Sequence, residues 1–304
     1  MLEKLDVPPA GSDSFIWADY AELRALIHPD SCYSRGDLSS TERRSRDLGH
    51  GFAVEERWRE IADFAGMREI EFGDSYPFKV LDDEDTISFI FDGSRQQQTY
   101  IALLIASCMR NITNNRKNEV ARSFEKTCFE IFAKLMPSGS EIRATWASGG
   151  AEAPYVGNLY QKMQTIAQDL RCTPNFRERD FKLNDTGDGG IDLIAWHPMT
   201  DKREGMPIAF AQCGCSRDDW RFKQLEASPS KHKRHLPAMH LWSTYYFLPL
   251  DLRESDGDWA YKSDIGEAII VDRLRLLRLL EQYDIFAELP AMPYVNEAMA
   301  FRYI

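Results

Sequence analysis

The sequence predicts an α/β protein: a small mixed sheet flanked by helices, behind a mainly helical N-terminal domain. Three observations lead there. Residues 117–136 and 155–170 carry apolar side chains at helical spacing. Residues 191–196 and 207–213 are short apolar runs bounded by glycine and proline turns, the pattern of buried strands. In the rear of the chain helix, strand, strand, helix, strand and helix follow one another, the order of an α/β domain.

The elements follow in chain order. Residues 1–14 hold Pro, Gly and Ser and read as a mobile lead-in. A helix is expected from Ile16, with Leu23, Leu26 and Ile27 on its apolar face, and another over 54–65, with Trp58, Ile61 and Phe64 in register. Residues 86–91, β-branched and aromatic, read as a strand, and 97–109 as an apolar core helix. Asp82 to Asp85 read as a solvated acidic loop rather than a cation site. The polar, Asn-rich stretch 111–116 suggests a boundary near residue 115. The expected domains are therefore 1–115 and 116–304. In the second, Val120, Phe124, Ile131, Phe132 and Leu135 line a helix that Pro137 ends. Val156, Leu159, Met163 and Ile166 line the next. A further strand is expected over 240–248, followed by a short apolar stretch at 269–271 and a Leu/Arg-rich amphipathic helix, with Arg273, Arg275 and Arg278 on its polar face.

Composition excludes several classes. The 304 residues are 43% hydrophobic and 28% charged, ordinary for a globular chain and unlike a disordered or collagen-like one. No apolar run approaches the roughly 20 residues of a membrane-spanning helix, and the first residues show no cationic start followed by an apolar stretch, so no secretory signal is expected. Six cysteines without zinc-ligand spacing read as reduced thiols of a cytoplasmic protein. The net charge of -11 argues against a generic polyanion binder, but it is unevenly spread. Residues 1–115 carry 12 Lys/Arg against 21 Asp/Glu, and the remainder is nearly balanced. Between 216 and 235 six cations (Arg217, Arg221, Lys223, Lys231, Lys233 and Arg234) face three acids. Such a segment suits phosphate contacts as well as it suits a hydrated loop.

The chemistry concentrates in Gly187-Asp-Gly-Gly-Ile-Asp192-Leu-Ile and Ala211-Gln212-Cys213-Gly214. Asp192 follows a glycine-rich turn and enters an apolar strand, where a carboxylate is costly unless bonded, paired or on a metal. Ile208, Phe210 and Gln212 share one face of the next strand by the two-residue period. A carboxylate and an amide oxygen set side by side suit Mg²⁺, which favours oxygen ligands and keeps several waters. Asp192 can equally cap the turn, Gln212 can bond backbone, and Asp188 reads as a turn residue. No nucleophile elbow, phosphate-binding Gly-Lys loop or dinucleotide fingerprint is present.

These two segments, with Phe124-Glu125 on the helix before them, resemble the PD-(D/E)XK nuclease superfamily, and within it the Mrr-like restriction endonucleases. The resemblance covers about residues 117–250. It implies a restriction-endonuclease-like core and hydrolysis of nucleic-acid phosphodiesters, DNA rather than RNA, with Mg²⁺ or Mn²⁺. It implies Asp192, Gln212 and Glu125 as metal ligands, and a setting in restriction or antiphage defence. The lysine of that pattern falls at position 214, where this chain has Gly214. Lys223, in the helix that follows the strand, is the expected substitute for its charge-stabilising role; the alternative is a catalytically silent module that binds nucleic acid or a partner protein. Phosphate contacts are expected from Arg217, Arg221, Lys231, Lys233 and Arg234. Residues 1–115 would engage an activator or a partner subunit, and a homo-oligomer is a separate expectation.

Overall fold

The computed structural model describes residues 1–45, 51–81, 83–146 and 153–301. It is a mixed α/β structure with two small sheets, and the chain divides into two compact units. The first contains Met1–Lys126, Pro249–Lys262 and Asp272–Ile304; the second contains Thr127–Leu248 and Ser263–Val271.

In chain order the first unit opens with α1 (Ser14–Ile27), β1 (Cys32–Ser34), α2 (Arg35–Ser45) and α3 (Gly51–Phe72). Strands β2 (Phe78–Val80) and β3 (Thr86–Phe89) follow, then α4 (Arg95–Ser107). The three strands form an antiparallel sheet in the order β1-β3-β2, so this unit is helical with a small sheet on it. Ser94 caps α4 by accepting from the Gln97 N–H, and the helix is buried almost throughout, as its apolar composition predicts. Helix α5 (Asn114–Leu135) carries the chain across the division after Lys126.

The second unit continues with β4 (Glu141–Ala144), α6 (Leu159–Asp169), β5 (Leu193–Trp196) and β6 (Ile208–Cys213). Two short helices, α7 (Trp220–Lys223) and α8 (Pro229–His232), precede β7 (Ser243–Phe247) and β8 (Ile269–Val271). The five strands lie in the order β4-β5-β6-β7-β8. β4, β5 and β6 are antiparallel neighbours, whereas β6, β7 and β8 run parallel. Leu193, Ala211 and Tyr245 share one face by register, and Phe132 of α5 packs edge-on against Tyr245 there. Ile194 and Phe210 take the other face, in one core with Met163 and Ile166 of α6. The sheet is thus covered on both faces, which is why its central strands are continuously apolar. The chain ends with α9 (Arg273–Gln282) and α10 (Pro293–Ala300), both in the first unit.

This division differs from the expected boundary near 115. The Asn-rich stretch is no linker: Asn111 is buried, its Nδ2 donating to the carbonyls of Glu3 and Lys4, and Ile112 bridges to Leu2. Buried ion pairs link the last segments to the first. Arg68 of α3 is fully buried and pairs with Asp19 at 2.8 Å, Glu22 at 2.6 Å and Asp251 at 2.9 Å. Arg273, also fully buried, grips both oxygens of Asp19 and donates to the Pro249 carbonyl. Arg273 is therefore a core residue, not surface decoration. Burial alone would raise the Asp19 carboxyl, but Arg273 and Arg68 hold it below its ordinary value. Burial outweighs Arg68 at Glu22, whose carboxyl is raised and which accepts from the hydroxyls of Tyr76 and Tyr100.

Other local expectations shift too. The helix expected over 155–170 starts at Leu159: Gly157 has φ +93, Asn158 caps the helix, and Val156 is 63% exposed. Strands β1, β2, β4 and β8 had no expectation, the last lying in what reads only as a short apolar stretch. Lys231 to His235, expected as a loop, begins in α8, where Pro229 occupies the first turn, a position that tolerates its missing N–H. Asp83 and Asp85 do lie in a loop, with Asp85 paired to Arg35 at 3.0 Å; Asp82 lies outside the described residues. Among the described residues no helix is long and apolar enough to cross a membrane.

Candidate functional site

The site is built around the end of β5. Gly187 to Gly190 form a tight turn with two Asx bonds: Asp185 accepts from the Gly187 N–H and Asp188 from the Gly190 N–H. Asp188 is thus used by the turn itself. Gly189 and Gly190 have φ of +71 and +87, a conformation that favours glycine. At Gly190 the lack of a side chain also matters sterically, because a Cβ there would stand 2.6 Å from Glu226 Cβ. From the other side, Lys162 of α6 is buried and its Nζ donates to the carbonyls of Thr186 at 2.7 Å and Gly187 at 3.0 Å. A buried ammonium is tolerated because two carbonyls receive it. Met163 and Ile166 carry the apolar signal of this helix, and Lys162 between its turns has the spacing of an ordinary polar-face residue.

Asp192 leaves this turn at a bulge. Leu193 pairs with Ala211, and the Asp192 N–H also donates to the Ala211 carbonyl at 2.9 Å. Two residues opposing one is a β-bulge, a device that re-aims a side chain. The Asp192 carboxylate, 5% exposed, then accepts the Cys213 N–H at 2.6 Å. It lies on the peptide that joins Gln212 to Cys213, taking the ladder position that β5 has vacated.

Gln212 is 6% exposed and pairs in register with Tyr246 of β7. Its Oε1 has no hydrogen-bond partner among the described residues, nor do Thr244 Oγ1 and Tyr246 Oη. The three residues share one face, since Phe210 pairs with Thr244 and Gln212 with Tyr246. Buried orphaned oxygens are uncommon and call for a partner. Burial, the thiols of Cys215 and Cys213, and the carboxylates of Glu226 and Asp192 all push the Tyr246 hydroxyl well above its ordinary value. At neutral pH it is therefore a protonated donor.

The cations fall into two groups. Arg217 pairs with Asp218 at 2.9 Å, and Arg221 pairs with Asp264. Lys223 ends α7, half-buried. Lys231, Lys233 and Arg234 are exposed. Lys231 Nζ and Glu226 Oε2 each lie 3.1 Å from the position a Cβ would take on Gly190, two residues before Asp192. Glu226 had no sequence signal because its placement depends on the connection between β6 and β7, and the Tyr246 hydroxyl had none because it depends on the register of β7 against β6. His232 is buried beside the turn and its Nε2 bonds the Glu226 carbonyl at 2.7 Å. Burial lowers its pKa to about 4, so it is neutral and held by backbone. Glu125 lies on α5 in the first unit, half-buried, 3.8 Å from Arg122.

Among the described residues no three His, Cys, Asp or Glu side chains converge at metal spacing. The Asp192 carboxylate and the orphaned Gln212 Oε1 are oxygen groups of the kind Mg²⁺ takes, unlike the thiolates and imidazoles of a structural zinc site. The chain matches no known protein family, no curated protein and no solved structure.

Proposed function

We propose that the second unit is a Mg²⁺- or Mn²⁺-dependent nuclease acting on phosphodiesters of nucleic acid, DNA in preference to RNA. One observation carries this reading: the Asp192 carboxylate sits on the peptide of Gln212, whose buried Oε1 is left unpartnered. Asp192 and Gln212 would hold the ion; Glu125, which the family resemblance implies as a further ligand, belongs to the first unit and is not assigned to it. Such an ion would lower the pKa of bound water and offset charge on a phosphoryl oxygen. The residues of the chain have separate tasks. The Cys213 N–H and the bulge fix the carboxylate, Lys162 fixes the turn, and the Tyr246 hydroxyl offers a neutral donor. The order β4-β5-β6-β7, antiparallel then parallel, is of the kind a restriction-endonuclease-like core requires and supports the reading. By the same resemblance the setting would be restriction or antiphage defence, with the first unit engaging an activator or partner.

A second reading has its own observation. A side chain at 214 would meet Tyr246, 2.5 Å from its Oη, so the position of the resemblance's lysine is filled. This favours a silent module that binds without cutting. Plasmid and single-stranded substrates incubated with the full chain in Mg²⁺ or EDTA separate the two. Cutting that requires Mg²⁺ and disappears in Asp192→Asn supports the nuclease. Binding without cutting, unaltered by that substitution, overturns it in favour of the module.

A further inference from the structure

Two basic segments far apart in sequence are joined by aromatic contacts in the second unit. The first is Phe176-Arg177-Glu178-Arg179-Asp180-Phe181-Lys182, and the second is Lys231-His232-Lys233-Arg234-His235. Phe176 and Phe181 pack edge to face at 5.2 Å between ring centroids. The His235 ring completes the cluster at 6.2 Å from Phe176 and 5.8 Å from Phe181. The Asn175 N–H donates to the His235 carbonyl at 3.0 Å, which ties the backbones together. Apolar rings and one backbone bond hold the segments inward, while Arg177, Arg179, Lys182, Lys231, Lys233 and Arg234 are exposed. None of these six is within ion-pair distance of a carboxylate among the described residues. Only Glu178 and Asp180 interrupt them in the two segments, and the Asp180 carboxylate is engaged by the Arg177 N–H.

Both segments lead to the glycine turn. The first runs into it along the chain, with the Asp185 N–H bonded to the Lys182 carbonyl. The second reaches it through Lys231, whose Nζ stands over Gly190. An unpaired positive surface on a chain of net charge -11 is a local feature, not a by-product of composition. We propose that this stapled surface is the track for the phosphate backbone of a DNA duplex and delivers it to the Asp192 turn. The proposal rests on the nucleic-acid reading above, but it assigns binding to Arg177, Arg179 and Lys182 alongside the 231–234 cations. It withdraws Arg217 and Arg221, whose guanidiniums are spent on Asp218 and Asp264.

The test measures binding of a short fluorescein-labelled DNA duplex by anisotropy, in EDTA, over a series of salt concentrations. The proteins are the full-length wild type, the triple variant Arg177→Gln/Arg179→Gln/Lys182→Gln and the control Arg217→Gln/Arg221→Gln. Thermal unfolding checks that each is folded. The expected result is at least a tenfold loss of affinity in the triple variant near 0.1 M salt, with the log–log salt slope reduced by about 0.9 for each phosphate contact removed. The control should stay within about twofold of wild type, because its cations are already neutralised. The proposal is overturned if the triple variant binds like wild type, if the control loses as much, or if the wild type does not bind. Cutting is not part of this readout. Intact binding without any Mg²⁺-dependent cutting retires the hydrolytic reading and leaves this surface standing.

Discussion

A Cβ placed on Gly214 would stand 2.5 Å from Tyr246 Oη and 3.1 Å from its Cζ. The glycine is what lets a fully buried tyrosine ring close over the end of β6. Gly214→Ala should destabilise the protein by about 1–3 kcal/mol, the usual cost of overpacking. Gly214→Lys should not create activity, since the side chain would begin in collision with the Tyr246 hydroxyl. In a Tyr246→Phe background the alanine substitution should cost less, because the nearest contact is gone. A double-mutant cycle from urea unfolding measures the coupling; additivity would show that the two residues do not meet.

Asp192 has a structural task separable from a chemical one. Asparagine at 192 keeps an oxygen for the Cys213 N–H, whereas alanine leaves that buried donor alone. Asp192→Ala should therefore cost about 1–3 kcal/mol more than Asp192→Asn in chemical denaturation. Equal stabilities for the two variants would mean that the bond to Cys213 contributes nothing.

His232 makes stability depend on pH. Its pKa is about 4 in the folded protein, against about 6.5 in an unfolded chain. The unfolded state therefore binds more protons in that window. The contribution is fully present above pH 6.5 and is lost as pH falls toward 4, roughly 3 kcal/mol in all. His232→Gln should flatten that part of the urea-stability profile. An unchanged profile would assign the acid sensitivity elsewhere.

Arg68 holds three carboxylates in the core of the first unit. Arg68→Leu leaves them without their shared counter-ion and should cost about 3–5 kcal/mol or prevent folding. Glu22→Gln, which keeps one acceptor oxygen for Arg68 and Tyr76 but gives up the acceptor for Tyr100, should cost less. Thermal melting of the two variants provides the comparison; similar losses would contradict the assignment.

What could be read in advance was whatever depends on periodicity. The helices at 14–27, 95–107 and 114–135 and the strands from 193 and 208 follow from their apolar spacing. The turn function of Asp188 followed from its place among glycines. What escaped was set by contacts distant in sequence. Arg273 looks like any arginine on an amphipathic helix until Asp19 is brought to it. Lys162 looks like a polar-face lysine until two turn carbonyls meet its amine. The three-residue strands β1 and β2 are too short for alternation to register.

The first unit takes its residues from both ends of the chain, with consequences for biosynthesis. Asp19 meets the guanidinium of Arg273 across a separation of 254 residues. A polypeptide leaving the ribosome therefore exposes the front half's carboxylates and their arginine before the stretch that completes their shell has been made. Residues 127–248, an almost continuous run, emerge in the interval. The guanidinium that completes the shell around Asp19 thus follows every residue of the second unit in the order of synthesis.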